Sequence, residues 1–534
     1  MLKRKLYFKL FVILSLLFWG YDSTNPQIST EWVNRYDNSF FDSGSTVKID
    51  QNNNVYVLGT TLGLNDNFDI VLIKYSSTGF LQWIKYYDGP DTLDDFPGDI
   101  SLDNDGNIYV TGSSEGVSTG RDGILLKYNS NGSLMWSRRY TSNGNHTDAM
   151  GGTTFNSGFL YLTGFSYGGQ TIDCIVLKYD INGNELWNKR YTVGTGSTEG
   201  YNIIDDKYGN SYVCGRCNGD AFSLKYDPHG NLQWTRFYNG PGNREDVAYW
   251  IMLDSAMNVY TAGSSIGQGN NFRDYLILKH SNAGDSLWTI RYNGSGQFDD
   301  DIRAMVFDNS GNILVTGQSI ETGQGYNFTT IKYSPDGKEI WKSFYNNGLN
   351  DFGRAITFDS EDNVFITGYS DGNGTDFDFA TVKYDSAGNK IWTTRYNFSG
   401  EYDDEAYSIA LDNMANVYVT GRSNRDMLTI KYSQPTGMYS QTELLSNNYF
   451  LSQNYPNPFN PKTNLSYTIN SPGKVILKVF DIKGNEISTL VNEYNNSGHY
   501  EMIFDGSNLN SGIYFYSLFV NGVAKDTKKM LLIK

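Results

Sequence analysis

The chain has few of the residues that build a disulfide scaffold or a nucleic-acid-binding surface. Its 534 residues include 3 Cys, 4 His and 11 Pro, and 58 acidic residues outnumber 42 Lys and Arg. Three cysteines are far fewer than a disulfide-rich fold uses. A formal net charge of −16 also argues against contact with a phosphate backbone, which requires clustered Lys and Arg. We therefore expect no nucleic-acid partner.

Two of the cysteines, Cys214 and Cys217, are close together in the sequence. They could form a small bridge or half of a zinc site, but a structural zinc site has four ligands, and the sequence has no second pair and no neighbouring His. The alternative, which the sequence favours, is that both are small buried residues.

Signatures of catalytic machinery are absent. The four histidines lie in unrelated contexts, and there is no nucleophile elbow, no phosphate-binding loop and no zinc-binding helix. The sequence therefore favours a protein that is not an enzyme. A glycoside hydrolase or lyase that uses a pair of carboxylates stays open as the alternative.

Long apolar runs are absent except near the N-terminus. Residues 1–5 are basic, and residues 6–19 are apolar but for Lys9 and Ser15. This pattern predicts a secretory signal peptide over residues 1–24, because the run is too short for a convincing membrane span. An uncleaved N-terminal anchor is the alternative.

The sequence does contain one repeat, present eight times with a period near fifty residues. Short alternating apolar runs separated by Gly and Asn turns, at this period, are typical of four-stranded propeller blades. Lys-Tyr, or once Lys-His, begins at Lys74, Lys127, Lys178, Lys225, Lys279, Lys332, Lys383 and Lys431. Trp-x-x-x-Tyr begins at Trp32, Trp83, Trp136, Trp187, Trp234, Trp288, Trp341 and Trp392.

The two ends of the repeat array complement each other. The array starts with a spare fourth strand at Trp32–Tyr36, and its last copy stops after Tyr432 without a Trp of its own. We predict an all-β fold in which this N-terminal strand completes the last copy and closes an eight-bladed β-propeller over residues 31–432. An open solenoid is the alternative.

The repeat resembles a known family. Asp-x-x-Gly-Asn-x-Tyr-Val-Thr-Gly and Asp-x-x-x-x-Lys-Tyr-x-x-x-Gly-x-x-x-Trp are similar to secreted bacterial β-propeller repeats, which are usually described as seven-bladed. The eight copies here depart from that description. The resemblance implies the fold and no particular activity.

Beyond Tyr432 the period stops. Residues 433–448 are predicted to be a linker, and the strand-like runs in residues 449–534 predict a small Ig-like β-sandwich. An opening Asn-Tyr-Pro-Asn-Pro-Phe-Asn-Pro, a central Val-Phe-Asp-Ile-Lys-Gly and a late Ser-Gly-Ile-Tyr resemble the C-terminal sorting domain (type A) of type IX secretion cargo. An ordinary carbohydrate-binding or fibronectin-like sandwich is the alternative.

The sorting-domain resemblance has implications for partner and location. It implies export across the outer membrane, recognition by the type IX translocon, and a final extracellular or outer-membrane surface location. It also implies that the last residues act as the sorting signal. These residues are Lys529, Met530, Leu531, Leu532, Ile533 and Lys534.

Every copy carries an acidic residue just before its innermost strand. These residues are Asp42, Asp95, Asp148, Glu199, Asp246, Asp300, Asp351 and Asp404. They could form a ring that binds a cation or sugar hydroxyls, or they could cap the turn into each strand. Their presence in every copy favours the structural role. Structural calcium is therefore conceivable but not predicted, and no cofactor is predicted.

Three residues further on, the copies differ from one another. The first four have the small residues Ser45, Gly98, Gly151 and Asn202, and the next four have Tyr249, Arg303, Arg354 and Tyr407. This switch predicts a lopsided ligand-binding pocket lined by the large residues, with Asp246, Asp300, Asp351 and Asp404 beside them. Packing between blades is the alternative.

Aromatic faces, Arg and carboxylates suit a polysaccharide or a peptide. The sequence thus predicts a secreted, monomeric binding or adhesion scaffold for an extracellular glycan or protein ligand.

Overall fold

The computed structural model describes residues 28–434 and 449–534, apart from gaps at 39, 64–65, 143–145, 270–271, 373–374, 399–401, 452–453, 455–458, 470–471, 483 and 497. The predicted signal peptide and nearly all of the predicted linker lie outside these residues. The described residues form strands and turns, and they include no helix that is long and apolar enough to cross a membrane. The chain divides into two compact units between residues 435 and 436.

The first unit consists of eight four-stranded antiparallel sheets. Sheets 1 to 7 take four consecutive strands each, from β2–β5 to β26–β29, and sheet 8 has the order β1-β32-β31-β30. Strands β1 to β16 are Ser29–Tyr36, Asp42–Ile49, Val55–Leu62, Phe68–Tyr75, Leu81–Tyr87, Asp95–Leu102, Ile108–Gly116, Gly120–Tyr128, Leu134–Tyr140, Asp148–Asn156, Phe159–Tyr167, Ile172–Asp180, Glu185–Tyr191, Thr198–Asp205, Ser211–Cys217 and Asp220–Tyr226. Strands β17 to β32 are Leu232–Tyr238, Asp246–Leu253, Val259–Ile266, Arg273–His280, Ser286–Tyr292, Asp301–Phe307, Ile313–Ile320, Tyr326–Tyr333, Glu339–Tyr345, Asp351–Phe358, Val364–Gly372, Thr375–Tyr384, Lys390–Tyr396, Asp404–Leu411, Val417–Ser423 and Asp426–Ser433.

The N-terminal strand pairs with the last repeat, as the sequence predicts. Strand β1 runs antiparallel to β32, with Tyr36 opposite Met427 and Trp32 opposite Lys431. The pairing is reinforced by an ion pair of 2.7 Å between Lys431 Nζ and Glu31 Oε2. Each sheet packs against the next along the chain, and β2 of sheet 1 packs against β30 and β31 of sheet 8.

In seven of the eight sheets, counting β30 as the first strand of sheet 8, the turn between the first and second strands is held by a buried or half-buried aspartate. In sheet 2, Asp103 Oδ1 accepts the backbone N–H groups of Asp105 and Asn107 at 3.0 and 2.8 Å. The Tyr109 hydroxyl donates to Asp103 Oδ2 at 3.0 Å. Both carboxylate oxygens are therefore used to fold the turn, which is the capping role that short Asp-rich turns favour.

The repeated Trp and Lys side chains connect neighbouring sheets. In sheet 1, Trp83 Nε1 and Lys74 Nζ both donate to the carbonyl of Ser130, in the last turn of sheet 2. Trp32 Nε1 and Lys431 Nζ of sheet 8 make the same pair of contacts with Ser77 of sheet 1. These repeated residues therefore hold neighbouring sheets together.

The cysteines do not form a disulfide. All three are free and buried. Cys214 and Cys217 lie three residues apart on one strand, so their side chains point to opposite faces of the sheet and contribute to different apolar clusters. The prediction of two small buried residues is confirmed.

The second unit contains a three-stranded sheet, β33-β34-β37, and a four-stranded sheet, β36-β35-β38-β39. Its strands are β33 Tyr449–Leu451, β34 Lys462–Ile469, β35 Gly473–Phe480, β36 Glu486–Asn495, β37 Gly498–Asp505, β38 Gly512–Val520 and β39 Val523–Leu532. A single apolar core includes residues from both sheets, among them Leu465, Leu477, Tyr516 and Met530.

Candidate functional site

The first strand of every sheet in the first unit contains a β-bulge near its start. A bulge inserts an extra residue that has no partner in the ladder and turns its side chain in a new direction. In sheet 5, for example, the register shifts between Ala248 and Trp250, which leaves Tyr249 as the extra residue. The extra residues of the other sheets are Ser45, Gly151, Tyr201, Arg303, Arg354 and Tyr407, with Gly98 and Asp99 together in sheet 2.

These bulge residues meet in one place. A cavity of about 580 Å³ is lined by the first strands of all eight sheets, and each of the bulge residues borders it. We call it the central cavity. The four large residues that the sequence analysis singled out, Tyr249, Arg303, Arg354 and Tyr407, therefore lie around one space.

The structure corrects the alignment of the fourth repeat. Thr198 is paired with Cys217 at the ladder position where Asp246 is paired with Ser265 in sheet 5, so Glu199 lies one residue beyond the repeated acidic position. The bulge residue of sheet 4 is therefore Tyr201 and not Asn202. The large residues consequently number five in a row around the cavity, and Ser45, Gly98 and Gly151 form the small side.

The repeated aspartates do not face the cavity. Asp246, Asp300, Asp351 and Asp404 are at most 1% exposed, and none of them lines the central cavity. Each accepts a hydrogen bond from a backbone N–H group in the segment before it; Gly240 donates to Asp246 and Gly294 to Asp300, both at 2.6 Å. These four carboxylates cap the entry into the strand, which is the structural role that the sequence favours, and they do not border the cavity beside which the sequence places them.

Two tyrosines of the cavity wall are held by a carboxylate and an arginine. Tyr201 donates to Glu199 Oε2 at 2.7 Å, and Arg216 lies 2.9 Å from Glu199 Oε1. Although burial opposes it, the hydrogen bonds from Tyr201, Ser197 and Arg216 hold the pKa of Glu199 below its ordinary value. Tyr407, Glu405 and Arg422 repeat the arrangement in sheet 8.

The aromatic part of the wall is continuous between sheets 4 and 5. The rings of Tyr201 and Tyr249 stack with their centroids 5.6 Å apart and their planes at 27°. Such a pair presents a flat apolar surface with a hydroxyl group at its edge, which is a common element of ligand-binding sites.

The two arginines of the wall differ in how well their charge is balanced. Arg303 Nη2 lies 3.6 Å from Asp301 Oδ2, and its Nε donates to Gln318 at 3.3 Å. Arg354 donates to the Tyr369 hydroxyl and lies over the Tyr369 ring at 5.0 Å, and its buried Nε has no hydrogen-bond partner among the described residues. Arg354 forms no ion pair within the described part of the chain. Its positive charge is thus available to a ligand.

Asp–Arg ion pairs between the third and fourth strands recur in several sheets, and sheet 1 departs from this pattern. In five sheets an Asp near the start of the third strand is paired with an Arg of the fourth strand. These pairs are Asp122–Arg139, Asp173–Arg190, Asp274–Arg291, Asp378–Arg395 and Asp426–Arg35. In sheet 1 the ladder places Tyr86 where the Arg would be, and Asp69 instead lies close to Asp88 and Asp95.

We expect Asp69→Asn to stabilise the protein at neutral pH. Burial and the neighbouring carboxylates raise the pKa of Asp69 to about 6. A raised carboxyl pKa in the folded state means that stability falls as the pH rises from about 4 to about 6. The Asn variant should therefore be more stable by roughly 1 kcal/mol at pH 7, after allowance for solvent screening, and equal to the natural chain below pH 4. Thermal melts in EDTA across this range would measure the difference.

The matched control for that variant is Asp122→Asn. This change breaks a 2.7 Å ion pair with Arg139 and should destabilise the protein at pH 7. A stabilising effect of Asp69→Asn that did not change with pH would contradict the electrostatic explanation.

Two family models match the chain. Residues 453–534 match the model described as a secretion system C-terminal sorting domain. Residues 82–117, 346–375 and 391–426 match the model described as a beta-propeller repeat. A sorting domain of this kind implies export and a cell-surface or extracellular location.

The chain is also similar to a curated protein and to solved structures. An uncharacterized WD repeat-containing protein, L264 of Acanthamoeba polyphaga mimivirus, is 23% identical over 510 residues, which cover 74% of this chain and 36% of the relative. The chain thus spans about a third of that relative's length.

Among solved structures, the WD40 beta propeller domain of Doa1 is 12% identical with a TM-score of 0.38, covering 64% of this chain and 94% of that one. A polysaccharide lyase of the PL25 family, an ulvan lyase, is 11% identical with the same TM-score, covering 77% of this chain and 99% of that one. At these scores neither likeness bears on function.

Proposed function

We propose that this secreted chain of β-propeller repeats, which ends in a type IX secretion sorting domain, is a non-catalytic binding or adhesion scaffold. Its ligand is an extracellular glycan or peptide that enters the central cavity. The sorting domain delivers the scaffold to the cell surface or the medium through the type IX translocon, with residues Lys529–Lys534 as the sorting signal. The protein acts as a monomer and without a cofactor.

The eight sheets are, in this proposal, the eight blades of one closed propeller. The pairing of β1 with β32 and the packing of sheet 8 against sheet 1 support a closed ring. The second unit, with its two sheets around one apolar core, is then the Ig-like sandwich of the sorting domain.

The observation that carries the proposal is the uneven wall of the central cavity. The fold accepts Ser45 and Gly151 at the bulge of two sheets, so a large side chain at this position is not required to form the bulge. Five consecutive sheets nevertheless place Tyr or Arg there, and all five border the same cavity. A purely structural position would have no reason to change character around the ring.

The chemistry of that wall favours a ligand with an anionic group. Arg354 makes no ion pair among the described residues and interacts with Asp301 only at longer range, and Arg303 is only loosely paired with the same carboxylate. A guanidinium binds a carboxylate or a sulfate through charge-assisted hydrogen bonds, and the stacked tyrosines add a flat apolar surface. Acidic polysaccharides and acidic peptides both have these features.

We expect Arg354→Ala to weaken ligand binding by about tenfold or more, because a hydrogen bond to a charged group contributes about 1.5–3 kcal/mol. The measurement is a screen of the purified protein on glycan and peptide arrays, followed by calorimetric titration of the best ligand. Arg303→Ala should have a smaller effect. Ser45→Ala, at the same bulge on the small side of the cavity, is the matched control and should bind normally. Retained affinity in Arg354→Ala would place the site elsewhere.

The alternative is a carbohydrate-active enzyme, and one observation favours it. Asp99 lines the central cavity, and burial raises its pKa, although Lys48 opposes the shift. A raised pKa suits a general acid. Glycoside hydrolysis, however, uses two carboxyl groups, and no second carboxyl side chain lines the described part of the cavity. A reducing-sugar assay on every glycan that binds would separate the two functions.

A further inference from the structure

One turn of the propeller departs from the repeat. In seven sheets the first and second strands are joined by an Asp-x-x-x-Asn turn, in which the Asn side chain donates to the Asp carboxylate. In sheet 3 the turn is Asn156-Ser157-Gly158-Phe159, and both central residues have positive φ, at 50° and 84°. This is the geometry of a tight two-residue hairpin, so the turn is shorter than in the other sheets.

Sheet 4 supplies the carboxylate that the short turn lacks. Thr154 Oγ1 and Asn156 Nδ2 donate to Asp205 at 3.0 and 2.7 Å. The Tyr161 hydroxyl, whose counterpart in sheet 2 donates to the turn aspartate, donates instead to the carbonyl of Gly209 at 3.0 Å. The short turn is therefore well held, and it is not a defect of the repeat.

A groove of about 520 Å³ lies beside this turn, between sheets 3 and 4. We call it the junction groove. The buried aspartates lie at the start of the first strands, and the groove lies at their other end, since β10 begins at Asp148 and ends at Asn156 beside the groove. It is therefore distinct from the central cavity.

Two aromatic residues of the junction groove take the places of residues that are not aromatic in the other repeats. Phe159 occupies the position of the turn Asn and is 36% exposed. Tyr208, in the middle of the neighbouring turn, is 66% exposed. Its counterparts are Asn52, Asp105, Ala256, Ser310, Glu361 and Met414. Both replacements fall on the same groove.

The polar groups of the groove are balanced in charge. Its lining includes Lys178 and Lys207 against Asp205 and Asp206, so two positive charges face two negative ones. The side chains of the exposed His229 and of Asn156 add further hydrogen-bonding groups. A ligand of this groove should therefore be uncharged, unlike a ligand of the central cavity.

From these features we infer that the junction groove is a second binding site, and that its ligand is a neutral oligosaccharide. A pyranose ring has an apolar face that packs on an aromatic ring, and hydroxyl groups at its edge that bond to polar side chains. The exposed rings of Phe159 and Tyr208 offer the first kind of contact, and the polar groups around them offer the second.

The test is calorimetric titration of the full secreted chain with cellohexaose, laminarihexaose, mannohexaose and xylohexaose as probes. We expect at least one of them to bind the natural chain. Tyr208→Ala and Phe159→Asn, which restores the residue of the other seven turns, should each weaken that binding at least threefold. Met414→Ala changes the counterpart of Tyr208 in sheet 8 and should bind normally.

The design separates this site from the proposed function. Arg354→Ala, in the central cavity, should leave binding of the neutral probes unchanged, even if it abolishes binding of an anionic ligand. The inference is overturned if none of the four probes binds the natural chain. It is equally overturned if binding survives both groove variants, or if Arg354→Ala removes it. Since Tyr208 and Phe159 are exposed, melting temperatures close to that of the natural chain will show that the variants are folded.

Discussion

A chain that lacks residues 29–36 will melt about 5 °C or more below the intact chain, and sheet 8 will open first. Strand β1 contributes a complete ladder to β32, so its removal leaves the backbone groups of β32 unpaired at an exposed edge. The deletion also removes the ion pairs Glu31–Lys431 and Arg35–Asp426, both of 2.7 Å. Trp32, which packs against Tyr75 of sheet 1, is lost as well. Several kcal/mol lost together correspond to a shift of this size.

The measurement is a thermal melt together with hydrogen exchange of the peptides that cover β30–β32. Loss of protection should begin in β30–β32 and should spread to sheet 1, because β2 of sheet 1 packs against these strands. A synthetic peptide of residues 28–37 added in trans should restore part of the melting temperature, because the missing partner is a single strand. An unchanged melting temperature after the deletion would show that the ring does not depend on this pairing.

Lys332→Met should destabilise the protein by about 3 kcal/mol or more. Lys332 Nζ lies 2.8 Å from Asp308 Oδ2, and the two side chains are only 6% and 0% exposed. Removing the ammonium group leaves a buried carboxylate without its counter-charge, which is among the more destabilising single changes. In sheets 5 and 7 the corresponding Lys–Asp distances are 3.9 and 3.7 Å, so the interaction is tightest in sheet 6.

The effect should depend on pH in a defined direction. Burial opposes it, but hydrogen bonds from Lys332 and Asn312 hold the pKa of Asp308 below its ordinary value. The stability that this carboxylate contributes is therefore present at neutral pH and is lost as the pH falls through the lowered pKa. In Lys332→Met the Asp308 carboxylate has lost its ion pair, so the difference in stability between the variant and the natural chain should become smaller in acid.

The controls for this prediction use the repeat itself. Lys127→Met removes a Lys that donates only to the carbonyl of Ile181, at 2.9 Å, and has no ion pair among the described residues. It should cost about 1 kcal/mol. The double variant Lys332→Met, Asp308→Asn should recover much of the lost stability. Equal losses for Lys332→Met and Lys127→Met would mean that the buried carboxylate is not the source of the effect.

Much of the fold could be predicted because its signals are local and repeated. The turn aspartates, the Trp-x-x-x-Tyr motif and the unpaired N-terminal strand each depend on a few neighbouring residues, and eight copies of a motif make its meaning clear. The assignment of Trp32–Tyr36 to the last repeat needed only a count of strands. The position of the cavity wall followed in the same way from a comparison of equivalent residues.

The errors have physical reasons. Glu199 resembles the repeated acidic residues in type, but the ladder register places its neighbour Thr198 at the repeated position. Gly200 was the available signal, because Gly44 and Gly353 also come directly before a bulge. The capping role of Asp246 and its counterparts was indicated by their presence in every copy and not by residue type, since a capping carboxylate and a ligand-binding one are the same side chain in different degrees of burial. The junction groove depends on Asp205 of the next sheet, a contact that no comparison within one repeat reveals.

The last strand of the second unit has a consequence for how the exported chain is recognised. Met530 and Leu532 are completely buried, and the backbone N–H of Ile533 is bonded to the carbonyl of Phe459. Residues Lys529–Lys534 are thus largely part of the folded sandwich and are not an extended peptide. If the proposed sorting signal is recognised in this folded state, the receptor contacts the surface of the folded domain and not an extended peptide.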